Sequence, residues 1–177
     1  MDTSSAPLTE DPEQARLSAL YALGVLDTPA EALLEGLTRS AAAVCEMPLA
    51  MLNLVDRNRQ WTKSHVGMAG ATEIPREHSI CTLVVESAAY LEIRDTRSDP
   101  RVARKPCVTG GLQLGFYAGA PLTTPEGHVL GSLCVLDRQP RQGLTEAQRK
   151  ALHELAQAVV QALLLRQAAH RSLQSSS

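Results

Sequence analysis

Residues 116–137 read FYAGAPLTTPEGHVLGSLCVLD, and this stretch decides the fold. Pro125-Glu126-Gly127 is a turn sequence between two apolar runs, so residues 116–123 and 129–136 form the arms of a β-hairpin. Two strands joined by so short a turn run antiparallel. Alternation places Val129, Leu133 and Val135 with Gly131 on one face. Leu130, Ser132, Cys134 and Leu136 fall on the other. Upstream, residues 49–55 and 60–66 flank Asp56-Arg57-Asn58 and form a second hairpin, with Trp61, Lys63 and His65 on one face of its second arm. A short strand at 90–94 lies between the two.

Helices enclose the strands. Asp11-Pro12-Glu13-Gln14 is a start signal, with Asp11 as cap, Pro12 at the first position and Gln14 closing a capping box. Leu17, Leu20 and Tyr21 follow at helical spacing, and Gly24 marks the stop. Thr28-Pro29-Ala30-Glu31 repeats the signal, with Thr28 as cap and Leu33, Leu34, Leu37, Ala41 and Val44 as the apolar face. A third start at Thr145, closed by Gln148, leads into a stripe from Leu152 to Leu163 that reaches about Ala168. The order is helices, hairpin, irregular stretch at 67–115, hairpin, long helix, which argues an α+β domain around an antiparallel sheet. The irregular stretch has the length and composition of a lid or pocket wall. Ser79 caps a short helix there through about Ser87, and Asp99-Pro100 begins another turn.

Composition narrows the function classes. The 177 residues make one domain; net charge is −2 and charged residues are 20% of the chain. No basic stripe points to nucleic acid and no polybasic run to a membrane surface. The N-terminal segment lacks the charged and apolar regions of a signal peptide, so a cytoplasmic location is expected. Cys45, Cys81, Cys107 and Cys134 follow no metal-binding spacing and are expected as free thiols. His78 and Cys81 are the only close pair of zinc-ligand type. No phosphate-binding glycine loop, nucleophile elbow or zinc-protease motif is present.

Several stretches in register then resemble one family. They are Arg16-Leu17 with Gly24-Val25-Leu26-Asp27-Thr28-Pro29, Leu54-Val55-Asp56 with Arg59-Gln60-Trp61 and Lys63-Ser64, and Ser79-Ile80-Cys81. Asp95-Thr96-Arg97 with Asp99-Pro100-Arg101, Phe116 to Leu122, Pro125 to His128 and Gly131 to Asp137 complete the set. Together they resemble the GAF domains of bacterial histidine kinases and diguanylate cyclases, over roughly residues 11–168. The resemblance implies an α+β fold with a central antiparallel sheet, N- and C-terminal helices on one face and a capped small-ligand pocket on the other. It also implies dimerisation through the helices. Residues 1–10 and 169–177 are expected as flexible tails. The family usually continues its last helix into an effector; here the chain ends at Ser177, so the expectation is a stand-alone sensor, not an enzyme, acting on a separate partner. Thr62 replaces the usual aromatic after Trp61, which makes that wall more polar.

The candidate ligand-binding residues are Trp61, Lys63, His78, Cys81, Asp95, Phe116, Tyr117 and Cys134. Each has a plainer alternative. Cys81 is a pocket thiol or a buried small hydrophobe. Cys134 belongs to the core or the pocket wall. Trp61 and Lys63 either hold an anion or form an edge strand with Trp61 over the core. Alternation sends one of Phe116 and Tyr117 to each face. Asp95, Asp99 and Arg101 clamp a polar ligand or simply build turns, and His78 lies in the pocket or on the cap surface. Cys45 packs on a helix face, and Cys107, in a loop, is the most exposed thiol. The ligand and any cofactor remain unidentified at this level. A free methionine sulfoxide reductase is the enzyme alternative, although Cys81 lacks the flanking glycine of that group. A bilin photoreceptor is disfavoured because Thr82 and Val108, not His, follow Cys81 and Cys107. Cyclic-nucleotide binding lacks its signature, and a ligand-free dimerisation module is the last alternative.

Overall fold

The structure is a computed structural model that describes residues 10–69 and 71–177. The expected tail at 1–10 therefore falls almost wholly outside the described residues. Helices α1 (Pro12–Ala22) and α2 (Ala32–Val44) precede the strands β1 (Leu49–Val55) and β2 (Arg59–Val66). The cap then carries β3 (Glu73–Pro75), α3 (Cys81–Ser87), β4 (Leu91–Ile93) and α4 (Pro106–Thr109). The clear hairpin is β5 (Phe116–Thr123) and β6 (Val129–Asp137), followed by α5 (Glu146–Ser175). All strands pair antiparallel in one sheet of order β3-β2-β1-β6-β5-β4. Both edge strands are only three residues long.

The sheet separates two apolar cores. On one side α1, α2 and α5 bury Leu20, Leu34, Leu152, Val159 and Leu163 against Leu52, Leu54, Phe116, Leu122 and Leu133. On the other, α3 and the cap loops bury Ile80, Val84, Val102 and Leu114 against Val55, Tyr117 and Leu136. The antiparallel α+β architecture with helices on one face is thus the one expected from the hairpins.

The alternation expected for β6 breaks at its start. Leu130 joins the helix-side core and Val129 the cap-side core. The cause is a register shift: Pro121 pairs with Ser132, but Thr123 pairs with Val129, so β6 carries an extra residue at the bulge. Gly131 lies within it, and a Cβ there would overlap the backbone of Asn53 and Leu54 on β1.

The helix starts divide. Asp11 accepts from the Glu13 N–H at 3.3 Å, and Thr145 with Gln148 closes a full capping box. Gln14 does not complete the first box; its side-chain oxygen accepts from Arg57 instead. Thr28 is not a cap, because α2 begins four residues later, at Ala32. The Lys63 ammonium holds the intervening loop out of the helix, donating to Thr28 Oγ1 at 2.8 Å and to the Pro29 carbonyl at 2.5 Å. On α2 the buried stripe is Leu34, Thr38, Ala41 and Ala42, while Leu33 and Val44 face outward. The small alanines let this face lie close to the sheet. At the other end, α5 continues past Ala168 to Ser175 as an exposed helix.

Arg16 anchors α1. Its side chain is 7% exposed, pairs with Glu13 at 2.9 Å and donates to the Val55 carbonyl at 2.7 Å. Hydrogen bonds from Arg16 above all, and from Arg76, hold the Glu13 carboxyl down to about 2, against a burial effect that raises it. A folded-state value below the ordinary 4.5 means that Glu13 stabilises the fold above pH 4.5 and loses that contribution as pH falls towards 2. Glu13→Gln is therefore expected to flatten the acid limb of stability in this window. Urea midpoints measured across it check the prediction; an unchanged slope would refute it.

Candidate functional site

Between the cap-side face of the sheet and the cap lies a cavity of about 340 Å³. Its floor comes from alternate residues of the inner strands: Met51 and Asn53 of β1, Gln60 and Thr62 of β2, Tyr117 of β5, Cys134 and Leu136 of β6. Its roof comes from the cap, chiefly Met68, His78, Ile80, Cys81, Cys107 and Leu112. Among the described residues, no Asp, Glu, Lys or Arg lines it.

The floor is polar at one end, where a buried amide acts as hub. Thr62 Oγ1 donates to Asn53 Oδ1 at 2.7 Å, which orients the Asn53 side chain. Asn53 Nδ2 then faces three sulfurs: Cys81 Sγ at 3.4 Å, Cys134 Sγ at 3.7 Å and Met51 Sδ at 3.8 Å. The Tyr117 hydroxyl lies 3.1 Å from Cys81 Sγ and 3.2 Å from Ser132 Oγ. Gly119 gives that hydroxyl its place, since a Cβ there would overlap both Tyr117 Oη and Ser132 Oγ. At the other end Ser79 Oγ donates to Gln60 Oε1 at 2.6 Å and accepts from the Thr82 N–H at 3.2 Å. Ser79 therefore ties the first turn of α3 to β2.

The four thiols differ electrostatically. Hydrogen bonding to Cys81, from Cys134 first and then from Tyr117, Asn53 and Ser132, lowers its thiol to about 7 despite burial. Burial pushes Cys134 well above the usual thiol range, with Cys81 adding to the shift. Burial alone raises Cys45, packed on the helix side, to about 11. Burial also raises Cys107.

The structure brings four of the eight candidate residues to the cavity: His78, Cys81, Tyr117 and Cys134. The other four lie elsewhere. Phe116 faces the helix-side core, as alternation with Tyr117 requires. Trp61 is in the same core. Lys63 points to that side too, its side chain fully buried and its Nζ 2.6 Å from Glu31. Asp95 caps a 3-10 turn, accepting from the Arg97 N–H and the Ser98 hydroxyl. Asp99 and Arg101 pair with each other at 2.6 Å, outside the cavity lining. Cys107 is the least buried thiol, yet it lines the cavity. Among the described residues, no group of three metal-ligating His, Cys, Asp or Glu side chains occurs, so the His78–Cys81 pair gains no further ligands of these types.

The sequence reading missed Met51, Asn53, Gln60 and Met68. One signal was available: Asn53 is the polar interruption of an apolar strand, LAMLNLV.

Comparison with known proteins agrees with this architecture. The GAF domain family model matches residues 29–163. The chain is 35% identical over 157 residues to a cyclic di-GMP phosphodiesterase of Pseudomonas aeruginosa, which covers 89% of this chain but only 26% of the relative. The chain thus spans about a quarter of that protein's length. Among solved structures, the GAF domain of an Acinetobacter phosphoenolpyruvate-protein phosphotransferase superposes with a TM-score of 0.65 at 15% identity, covering 92% of this chain and 99% of that one. The free methionine-R-sulfoxide reductase of Neisseria meningitidis, solved with its substrate, gives 0.57 at 18% identity, covering 93% and 95%. The second GAF domain of DevS from Mycobacterium smegmatis gives 0.60 at 14%, covering 79% and 96%. At such identities these structures speak for the fold alone. The antiparallel sheet between a helical layer and a capped cavity is that of an α+β domain of the GAF type. The chain belongs to the GAF domain family.

Proposed function

We propose that this chain is a cytoplasmic sensory module that binds a small, uncharged, largely apolar molecule in the cap-side cavity. It signals to an effector through a homodimer of its helical layer. The observation that carries this reading is a cavity of about 340 Å³ whose walls, among the described residues, hold no Asp, Glu, Lys or Arg. That volume is in the usual range for ligand pockets, and a carboxylate, phosphate or ammonium on the ligand would meet no Lys, Arg, Asp or Glu there. Signalling then requires the ligand to bind one arrangement of the helices more tightly than the other.

The same observation argues against two other ligands. A cyclic dinucleotide would bring phosphates into a site with no Lys or Arg among its described walls, so the activity named for the Pseudomonas relative is assigned to that protein and not to this cavity. Free methionine sulfoxide is a zwitterion and meets no Lys, Arg, Asp or Glu side chain among the described walls. Turnover of that sulfoxide that is lost in Cys81→Ser or Cys134→Ser would replace the receptor reading with the enzymatic one.

The test uses two dyes with one aromatic framework. N-phenyl-1-naphthylamine is neutral; 8-anilinonaphthalene-1-sulfonate carries a sulfonate. The neutral dye is expected to bind one per chain with enhanced fluorescence, and the sulfonate to bind far more weakly. Leu112→Trp, which fills the half-buried rim of the cavity, is expected to raise the dissociation constant of the neutral dye about tenfold or more. Equal binding of both dyes, or binding unaffected by the substitution, would overturn the proposal. Failure of any neutral molecule to bind or co-purify would leave the ligand-free dimerisation module in its place.

A further inference from the structure

Sulfur is concentrated in this site. Five sulfur-bearing side chains line the cavity: Met51, Met68, Cys81, Cys107 and Cys134. Cys81 and Cys134 are the innermost, 2% and 0% exposed, and both lie against the Asn53 amide. Packing alone does not call for this arrangement. A valine or alanine would fill either place without needing a hydrogen-bond donor, whereas here an oriented amide and a tyrosine hydroxyl are spent on the two thiols. One thiol stands on the first residue of α3, in the cap, and the other on β6, at the centre of the sheet.

We propose that Cys81 and Cys134 form a reversible redox pair that a small hydroperoxide entering the cavity converts to a disulfide, pinning the cap helix α3 to the sheet. Cys81 is the attacking thiol and Cys134 the resolving one. The Cys81 sulfur attacks the distal oxygen of the hydroperoxide; an S–O bond forms as the O–O bond breaks, the displaced alkoxide takes up the Cys81 thiol proton and leaves as an alcohol (water, from hydrogen peroxide), and Cys81 becomes a sulfenic acid. The Cys134 sulfur then attacks the Cys81 sulfur. The S–O bond breaks, and hydroxide leaves with the Cys134 proton as water. Two thiols lose two electrons in all, and one O–O bond gains them.

The groups around the pair suit these roles. Asn53 Nδ2 donates to Cys81 Sγ, and the Tyr117 hydroxyl, 3.1 Å away, is within reach to donate to a thiolate there. The lowered Cys81 and raised Cys134 agree with an attacking and a resolving partner. Cys45 is a built-in control, since it packs in the helix-side core, away from the cavity.

The consequence for ligand binding rests on the receptor reading above, but the sulfur chemistry does not. The experiment keeps the two apart. The full chain is treated with hydrogen peroxide, blocked with an alkylating reagent and digested by proteases that cut after Lys or Arg and after Glu. Cleavage after Glu126 separates Cys107 from Cys134, so mass spectrometry identifies each linkage. The expected product is a Cys81–Cys134 cross-link with two hydrogens lost, reversed by dithiothreitol. The cross-link is expected to persist in a Cys45→Ser, Cys107→Ser double variant. A cross-link through Cys107 or Cys45, or sulfinic acid on Cys81 with Cys134 still alkylated, would overturn the pairing. These assignments need no variant to fold, since they are made on the unaltered chain. The fluorescence of N-phenyl-1-naphthylamine, read before and after oxidation, is expected to show a change in affinity. Should the dye bind neither form, the receptor reading fails while the peptide map still decides the redox pair.

Discussion

Gly131→Ala is expected to destabilise the domain by about 3–5 kcal/mol, a large share of what a domain of this size has. The added Cβ would overlap Asn53 O, Asn53 C and Leu54 Cα. None of these is the movable end of a side chain. They belong to β1, the strand that pairs with β6 from Leu49↔Leu136 to Leu54↔Gly131. Relief requires the two central strands to part, which costs ladder hydrogen bonds and loosens both cores together. It also moves Asn53, so the cavity floor is expected to lose its order along with stability. Urea unfolding of the variant checks the first effect. A midpoint within error of the unaltered protein would show that the bulge absorbs the methyl group.

Lys63→Met is the second large effect, expected at about 2–4 kcal/mol. The ammonium is fully buried, 2.6 Å from Glu31, and donates to Thr28 and Pro29. Methionine keeps most of the apolar stem but leaves the Pro29 carbonyl and Thr28 hydroxyl without their donor. The estimate stays below that for a fully buried pair because Glu31 is 35% exposed and retains Arg166 at 3.0 Å. The loss is expected mainly in the loop before α2. Hydrogen exchange is therefore expected to rise first at residues 28–34, with the dye-binding cavity on the far side of the sheet little changed. Uniform loss of protection across the molecule would instead make Lys63 a determinant of the whole core.

How far these features were legible from the residues follows from the range of the interactions behind them. The Pro-Glu-Gly turn and the Thr145–Gln148 capping box are local, and both appear where the sequence places them. So does the division between Phe116 and Tyr117, because alternation within a strand is local too. Thr28 carries the same local signal as Thr145, yet Lys63, thirty-five residues away, takes its hydroxyl oxygen and holds it out of the helix. Lys63 itself looked like a surface or anion-binding residue because nothing in its neighbourhood shows Glu31 and the Pro29 carbonyl waiting on the helical side. The bulge at Gly131 exists only relative to β5, so the sequence pattern alone inverts the facing of Val129 and Leu130. The cavity shows the same limit. Cys81 and Cys134 were individually suspect, but the Asn53 amide that gathers them comes from a third strand.

The placing of the shortest strands has a consequence for behaviour at high concentration. A β-sheet recruits foreign chains through the unpaired amides and carbonyls of its outermost strands, and long flat borders do so best. Here both borders are three-residue segments, and one of them ends in Pro75, which has no amide hydrogen to offer. The two central strands, β1 and β6, are paired on both sides. Each border strand thus offers a neighbouring molecule only three residues of backbone to pair with, which shortens the template for strand-to-strand self-association while native.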